Sequence, residues 1–227
     1  MEAVDGISQL PGAITSALLA DWKGAAVVAL GIVVLFVTGE VLRRVFAVET
    51  EYTRKLSHMG AGFIVVAFPW LLQHTLTVAV LALAFFALLL AGKVTGLLQS
   101  VHDVERRTSG AYYYPLAVLG IFWLAKGDPL LYCPPIAVLA ISDTGAALVG
   151  KRLGRRRYQV MDGARSVEGS LTFFGLTFTI VLAALAIAGR PGWPEMLLVT
   201  LVAAIMATAT EAISVRGADN LFIPYAC

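Results

Sequence analysis

The chain has 227 residues, 59% of them hydrophobic and only 14% charged, with a mean hydropathy of +0.81. These values place it among multi-spanning membrane proteins and exclude an ordinary water-soluble domain. Its two cysteines, Cys133 in an apolar stretch and Cys227 at the last position, exclude a disulfide framework or thiolate metal site, and the net charge of +2 names no partner, nucleic acid included.

Seven stretches are apolar enough to cross about 30 Å of hydrocarbon: 24–46, 57–73, 75–97, 110–126, 129–150, 169–188 and 195–215. The expectation is an all-α, polytopic single domain over 1–227 with seven transmembrane helices. Residues 1–21 carry Glu2, Asp5 and Asp21 and no basic region ahead of a short apolar core, so a secretory signal is not expected. Of the 17 Lys and Arg, 14 fall in the first, third and fifth connections and the C-terminal tail. By the positive-inside rule, the N-terminus and segment 1–21 are extracytoplasmic and the C-terminus is cytoplasmic. Nearly every polar cluster then opens on the cytoplasmic face.

The first such cluster begins the second stretch. Offsets of four and three place Arg54 and Lys55 on one helical face with His58, a candidate base, phosphate donor or plain interfacial residue. Phe68-Pro69-Trp70 is expected to kink or end this helix. Glu105 lies in the third connection beside Arg106 and Arg107, and Tyr112-Tyr113-Tyr114 reads as an interfacial aromatic belt.

In the fifth stretch Pro134-Pro135 suit a first helical turn, and Asp143 lies eight residues before Lys151, roughly 12 Å deeper along a helix. An ionised group at that depth requires a cation, a metal or a watery cavity. Two readings stay open for it: a functional carboxylate, or a structural one paired with a cation from another helix. Lys151, Arg152, Arg155, Arg156 and Arg157 read either as an anionic-lipid patch or, together with Arg165, Ser166 and Glu168, as a phosphate site. Magnesium needs one or two carboxylates plus substrate phosphates, and Asp143 and Glu168 are sufficient in kind. No Gly-x-x-x-x-Gly-Lys-Ser/Thr loop is present. In the last stretch Glu211 precedes Arg216 by about one and a half turns, as a site residue or an interhelical ion partner. Asp219-Asn220, followed by Pro224, read as a turn or as part of the same polar site.

Four blocks in order resemble the polyprenol kinase family, meaning phytol kinases, dolichol kinases and CTP-dependent diacylglycerol kinases. They are Arg54-Lys55-Leu56-Ser57-His58 with Gly60 and Gly62; Glu105-Arg106 with Gly110 and Tyr113-Tyr114-Pro115-Leu116; Ser142-Asp143-Thr144-Gly145-Ala146 through Gly150 and Gly154 to Ser166-Val167-Glu168-Gly169-Ser170; and Asp219-Asn220-Leu221-Phe222-Ile223-Pro224. The third block is also similar to phosphatidate cytidylyltransferases, but their Asp- and Gly-rich C-terminal signature is missing. Arg165 stands where the family usually has lysine.

The resemblance implies a membrane-embedded lipid-alcohol kinase that takes the γ-phosphoryl of CTP and passes it to a prenol. Asp143, Glu168, His58 and Lys55 would be catalytic. Asp143, Glu168, Asp219 and Glu211 would hold Mg²⁺, and the Lys151–Arg157 cations with Arg165, Ser166 and Asn220 would bind the nucleotide. Arg54, Glu105 and Tyr113 would meet the lipid alcohol, with membrane lipids around the bundle. A CTP:lipid-phosphate cytidylyltransferase is the alternative. A small seven-helix transporter using Asp143 and Glu211 is the second, and it predicts polar residues spread through the membrane depth instead of gathered on one face.

Overall fold

The computed structural model describes residues 2–95, 110–160, 163–189 and 192–227. Helices dominate: α1 (Glu2–Arg44), α2 (Thr50–Val66), a single turn α3 (Phe68–Leu71), α4 (Thr75–Thr95), α5 (Gly110–Ala125), α6 (Pro129–Ala137), α7 (Asp143–Leu153), α8 (Val167–Ala188), α9 (Trp193–Ile213) and α10 (Asp219–Ala226). A two-stranded antiparallel hairpin, β1 (Arg157–Val160) and β2 (Gly163–Ser166), interrupts them. The hairpin is an addition to the expected all-α fold and is built from the basic connection between the fifth and sixth apolar stretches.

Five of the described segments are long and apolar enough to cross a membrane: Leu10–Arg44, Thr75–Thr95, Pro129–Leu153, Val167–Ala188 and Trp193–Ile213. The stretch 57–73 folds as α2 and α3, broken ahead of Pro69, and 110–126 folds as the 16-residue apolar helix α5. The architecture is that of a polytopic membrane protein. Large apolar side chains such as Leu19, Leu83, Leu171 and Ile187 project outward, as lipid in place of water permits. The core gathers Tyr132, Ile136, Leu139, Phe173 and Ile223, all buried.

Pro134 and Pro135 sit inside α6, which begins at Pro129 with Asp128 as cap, its side chain accepting from Leu130 N at 2.8 Å. The expected first-turn role therefore falls to Pro129. The two inner prolines offer no N–H to the ladder, and after Ile136 and Ala137 the chain widens into a π-helical turn, Val138–Ser142, before resuming as α7 at Asp143. At the other end of the bundle Asp21, buried in α1, accepts from the backbone N–H groups of Gln73 and His74 at 3.0–3.1 Å, anchoring the turn that opens α4.

Candidate active site

Two cavities meet at Asp143 and Arg165. The first, about 340 Å³, lies between α2, α5, α7 and α10 and is lined by Lys55, His58, Tyr114, Asp143, Asp219 and Asn220, with Arg54 and Arg216 also on its wall. The second, about 300 Å³, lies between α7, the hairpin and α8, where Gly150, Lys151, Arg157, Ser166, Gly169 and Glu211 face it. Asp143 and Arg165 line both.

Asp143 heads α7 and points toward α2, where Lys55 Nζ stands 2.8 Å from Oδ2. Both side chains are largely buried, so neither charge is solvated by bulk water and each neutralises the other. The pairing with a cation from another helix, one of the two readings open for Asp143, is thus what the structure contains, and the pair forms part of a cavity wall. His58 Nε2 lies 3.1 Å from the Leu139 carbonyl and 3.7 Å from Asp143 Oδ2. A carbonyl only accepts, so Nε2 carries the proton and donates to it. That carbonyl belongs to the π-helical turn.

Close approach of α2 to this turn depends on Gly62, where an added Cβ would collide with Ala140. Tyr114 completes the corner: its ring packs edge-on against His58 with centroids 5.6 Å apart, and its buried hydroxyl has no hydrogen-bond partner among the described residues. Sequence reasoning chose Tyr113 instead. Tyr113 is half-buried and lines neither cavity; the helical phase of α5 turns its neighbour inward.

Arg165, on β2, forms an ion pair with the buried Glu211 of α9, donates to the Ser214 carbonyl at 3.3 Å and stands 3.6 Å from Asp219. Oε2 of Glu211 is buried without a hydrogen-bond partner among the described residues. Burial raises the pKa of Asp219 above the ordinary carboxylate range; nearby Asp143 pushes the same way and Arg165 opposes. Asn220 lines the first cavity beside it and meets the N-terminus of α5, where a Cβ on Gly110 would stand 2.7 Å from its Nδ2.

Ser166 caps α8, its hydroxyl accepting from Gly169 N at 3.0 Å. Glu168, in the first turn and half-buried, accepts from Arg156 N at 3.2 Å and lines neither cavity. Lys151 is held by Glu49 at 2.7 Å and lies, with Arg152, over the Tyr52 ring; Arg155, Arg156 and Arg157 ring the hairpin base and are exposed. Arg54 pairs with Glu51 at 2.8 Å. Glu105 lies outside the described residues. Among the described residues no group of three or more His, Cys, Asp or Glu side chains is arranged to hold a metal unaided. A Mg²⁺ carried on phosphate oxygens needs only one or two carboxylates, and Asp143 and Asp219 on one cavity wall fit that requirement.

Comparison with known proteins places the chain in a family. The model of the cytidylyltransferase family matches residues 8–210. A curated phytol kinase from Synechocystis sp. is 34% identical over 205 residues, covering 88% of this chain and 86% of the relative. The chain belongs to the polyprenol kinase family. No solved structure matches the chain significantly.

Proposed function

We propose that this polyprenol kinase family member transfers the γ-phosphoryl of CTP to the hydroxyl of a prenol-type lipid alcohol. The observation that carries the reading is the polar cavity at the end of an apolar bundle, where Lys55, His58, Asp143 and Asp219 converge, in a chain one-third identical to a phytol kinase. Seven crossings, with the N-terminus outside and this cavity at the cytoplasmic face, complete it; the strong Lys and Arg bias supports that orientation.

In this reading the triphosphate lies along the second cavity, against Lys151, the arginines of the hairpin, Arg165 and the Ser166 cap at the N-terminus of α8. Asn220 and Asp219 meet it where the cavities join, and Glu168 fixes the hairpin through Arg156. The lipid hydroxyl arrives in the first cavity. Its oxygen attacks the γ-phosphorus, the bond from that phosphorus to the β,γ-bridging oxygen breaks, CDP leaves, and the alcohol proton passes to Asp143. His58 is less suited as base because the ring nitrogen nearest Asp143, Nε2, already donates to Leu139. Lys55 holds the Asp143 carboxylate in place and neutralises phosphate charge as it develops. Bound Mg²⁺, held by Asp143 and Asp219 with Glu211 behind Arg165, would supply charge neutralisation at the phosphates.

The family's name favours one competitor, cytidylyl transfer to a lipid phosphate with release of pyrophosphate. Purified protein in detergent, given CTP labelled separately at the α and γ phosphates with phytol, farnesol, dolichol, diacylglycerol or phosphatidate, separates the two. Lipid carrying γ label is the expected result. Lipid carrying α label means cytidylyl transfer, and no labelled lipid with any acceptor favours a transporter.

A further inference from the structure

A third cavity, about 170 Å³ and almost wholly apolar, runs between α1, α2, α4 and α5. Ala61, Phe85 and Tyr114 line it and also line the polar cavity of Lys55 and Asp143, so the two adjoin across these residues. Its floor is closed by buried Val65, Phe68, Val78 and Val118, while its α1 and α4 lips carry exposed Ala29, Val33 and Leu88. The groove therefore opens sideways toward lipid and leads inward to charge. From Phe85 at the threshold to Val78 at the floor is seven residues of α4, or about 10 Å.

At the threshold stands the Tyr114 hydroxyl. It is buried on a residue that lines both cavities and has no partner among the described residues. An unsatisfied buried hydroxyl is costly, and an alcohol arriving with its chain in the groove would satisfy it.

Resting on the kinase reading above, we propose that this groove holds the first part of the substrate's hydrocarbon chain and that Tyr114 receives the substrate hydroxyl, so that groove length sets the preferred alcohol. Side-chain occupants are ruled out by the void itself, since interiors otherwise close to native density. A lipid alcohol, with its small uncharged head, can lie with its tail in the groove and its hydroxyl at Tyr114.

Two variants and a labelling experiment test this. Ala82→Phe fills the groove from its half-buried lip, and Ala183→Phe, on the exposed face of α8, is the control. Against isopentenol, geraniol, farnesol and phytol, Ala82→Phe is expected to lower kcat/KM for the two longer alcohols by roughly tenfold or more, with isopentenol and the KM for CTP unchanged. Tyr114→Phe is expected to raise the alcohol KM by roughly two- to tenfold without lowering Tm; a purely structural hydroxyl would leave KM alone. A uniform loss across chain lengths, or none, would overturn the assignment.

Should no alcohol be phosphorylated by the wild type, the kinase reading fails and binding decides the groove separately. A farnesol analogue carrying a diazirine is photolysed with the protein in detergent, and labelled peptides are mapped by mass spectrometry. Label on α1, α4 and α5 around Ile32, Leu81 and Val118, displaced by farnesol but not by phosphatidylcholine, supports the groove. Label on α8 and α9, or equal displacement by phosphatidylcholine, sinks it.

Discussion

Replacing Asp143 by asparagine keeps side-chain shape and an oxygen for Lys55, but removes the negative charge and the capacity to take a proton. If this carboxylate is the base, turnover falls by about 10²–10⁴-fold. Stability changes too, because Lys55 is left largely buried without its counter-charge. Removing one partner of a buried ion pair costs about 3–5 kcal/mol. At about 2–4 °C per kcal/mol for a chain of this size, Tm drops by roughly 6–20 °C. Lys55→Met strands Asp143 and is expected to cost a similar amount. The double variant Lys55→Met/Asp143→Asn removes both charges and should recover most of the lost Tm while remaining inactive. Thermal unfolding in detergent and γ-label transfer to phytol measure the two quantities on the same preparations. The reasoning is refuted if Asp143→Asn turns over near the wild-type rate, or if the double variant loses the sum of the single Tm shifts, since independent sites add.

Arg165→Lys replaces a fork that reaches Glu211, Ser214 and Asp219 with a single ammonium; a loss of about 1.5–3 kcal/mol and a raised KM for CTP are expected, read by thermal unfolding and steady-state kinetics. Ser166→Ala deletes the cap of α8 and should cost about 1 kcal/mol, with the CTP KM rising as the N–H of Gly169 loses its partner. Gly62→Ala drives a Cβ into Ala140 and should lower stability by about 1–3 kcal/mol, measured as Tm, with a matching fall in kcat as the turn carrying Asp143 shifts. Chelation with EDTA is expected to stop transfer and added Mg²⁺ to restore it, Asp219→Asn requiring a higher Mg²⁺ concentration for half-maximal rate; full activity in EDTA would remove metal from the reading.

Much of this arrangement was legible in the chain because lipid makes charge conspicuous. Asp143 and Glu211 stood out as acids within apolar runs, and both prove to be tied to cations. The partners were not legible. Lys55 and Asp143 are 88 residues apart, and Arg165 and Glu211 are 46 apart; local periodicity carries no information at that separation. Nor were the partners of the exposed charge legible: Lys151, open to a lipid-patch or a phosphate reading, is engaged by Glu49 and Tyr52. The tyrosine triplet had the right composition, but its phase was hidden, since three adjacent aromatics point in three directions on a helix and only packing selects Tyr114. The hairpin escaped notice because its strands are short: β1, Arg-Tyr-Gln-Val, alternates over too few positions to stand out, and β2, Gly-Ala-Arg-Ser, does not alternate apolar and polar residues.

The π-helical turn sets the angular phase of everything beyond it. An α-helix advances about 100° per residue, and a wider turn absorbs roughly one extra residue. Were Val138–Ser142 to rewind as ordinary α-helix with every residue kept, α7 would rotate by about 100° relative to α6. Tyr132 and Ile136 would stay seated in the core, while Asp143 would swing off the Lys55 side of the bundle. Deleting one position from the turn would take out the residue it absorbs and leave Asp143 facing Lys55. A rewound chain of unchanged length would insert into the membrane as before with its acid facing the wrong neighbour. Reading frame along the helix, as much as residue identity, is therefore what this family member must preserve.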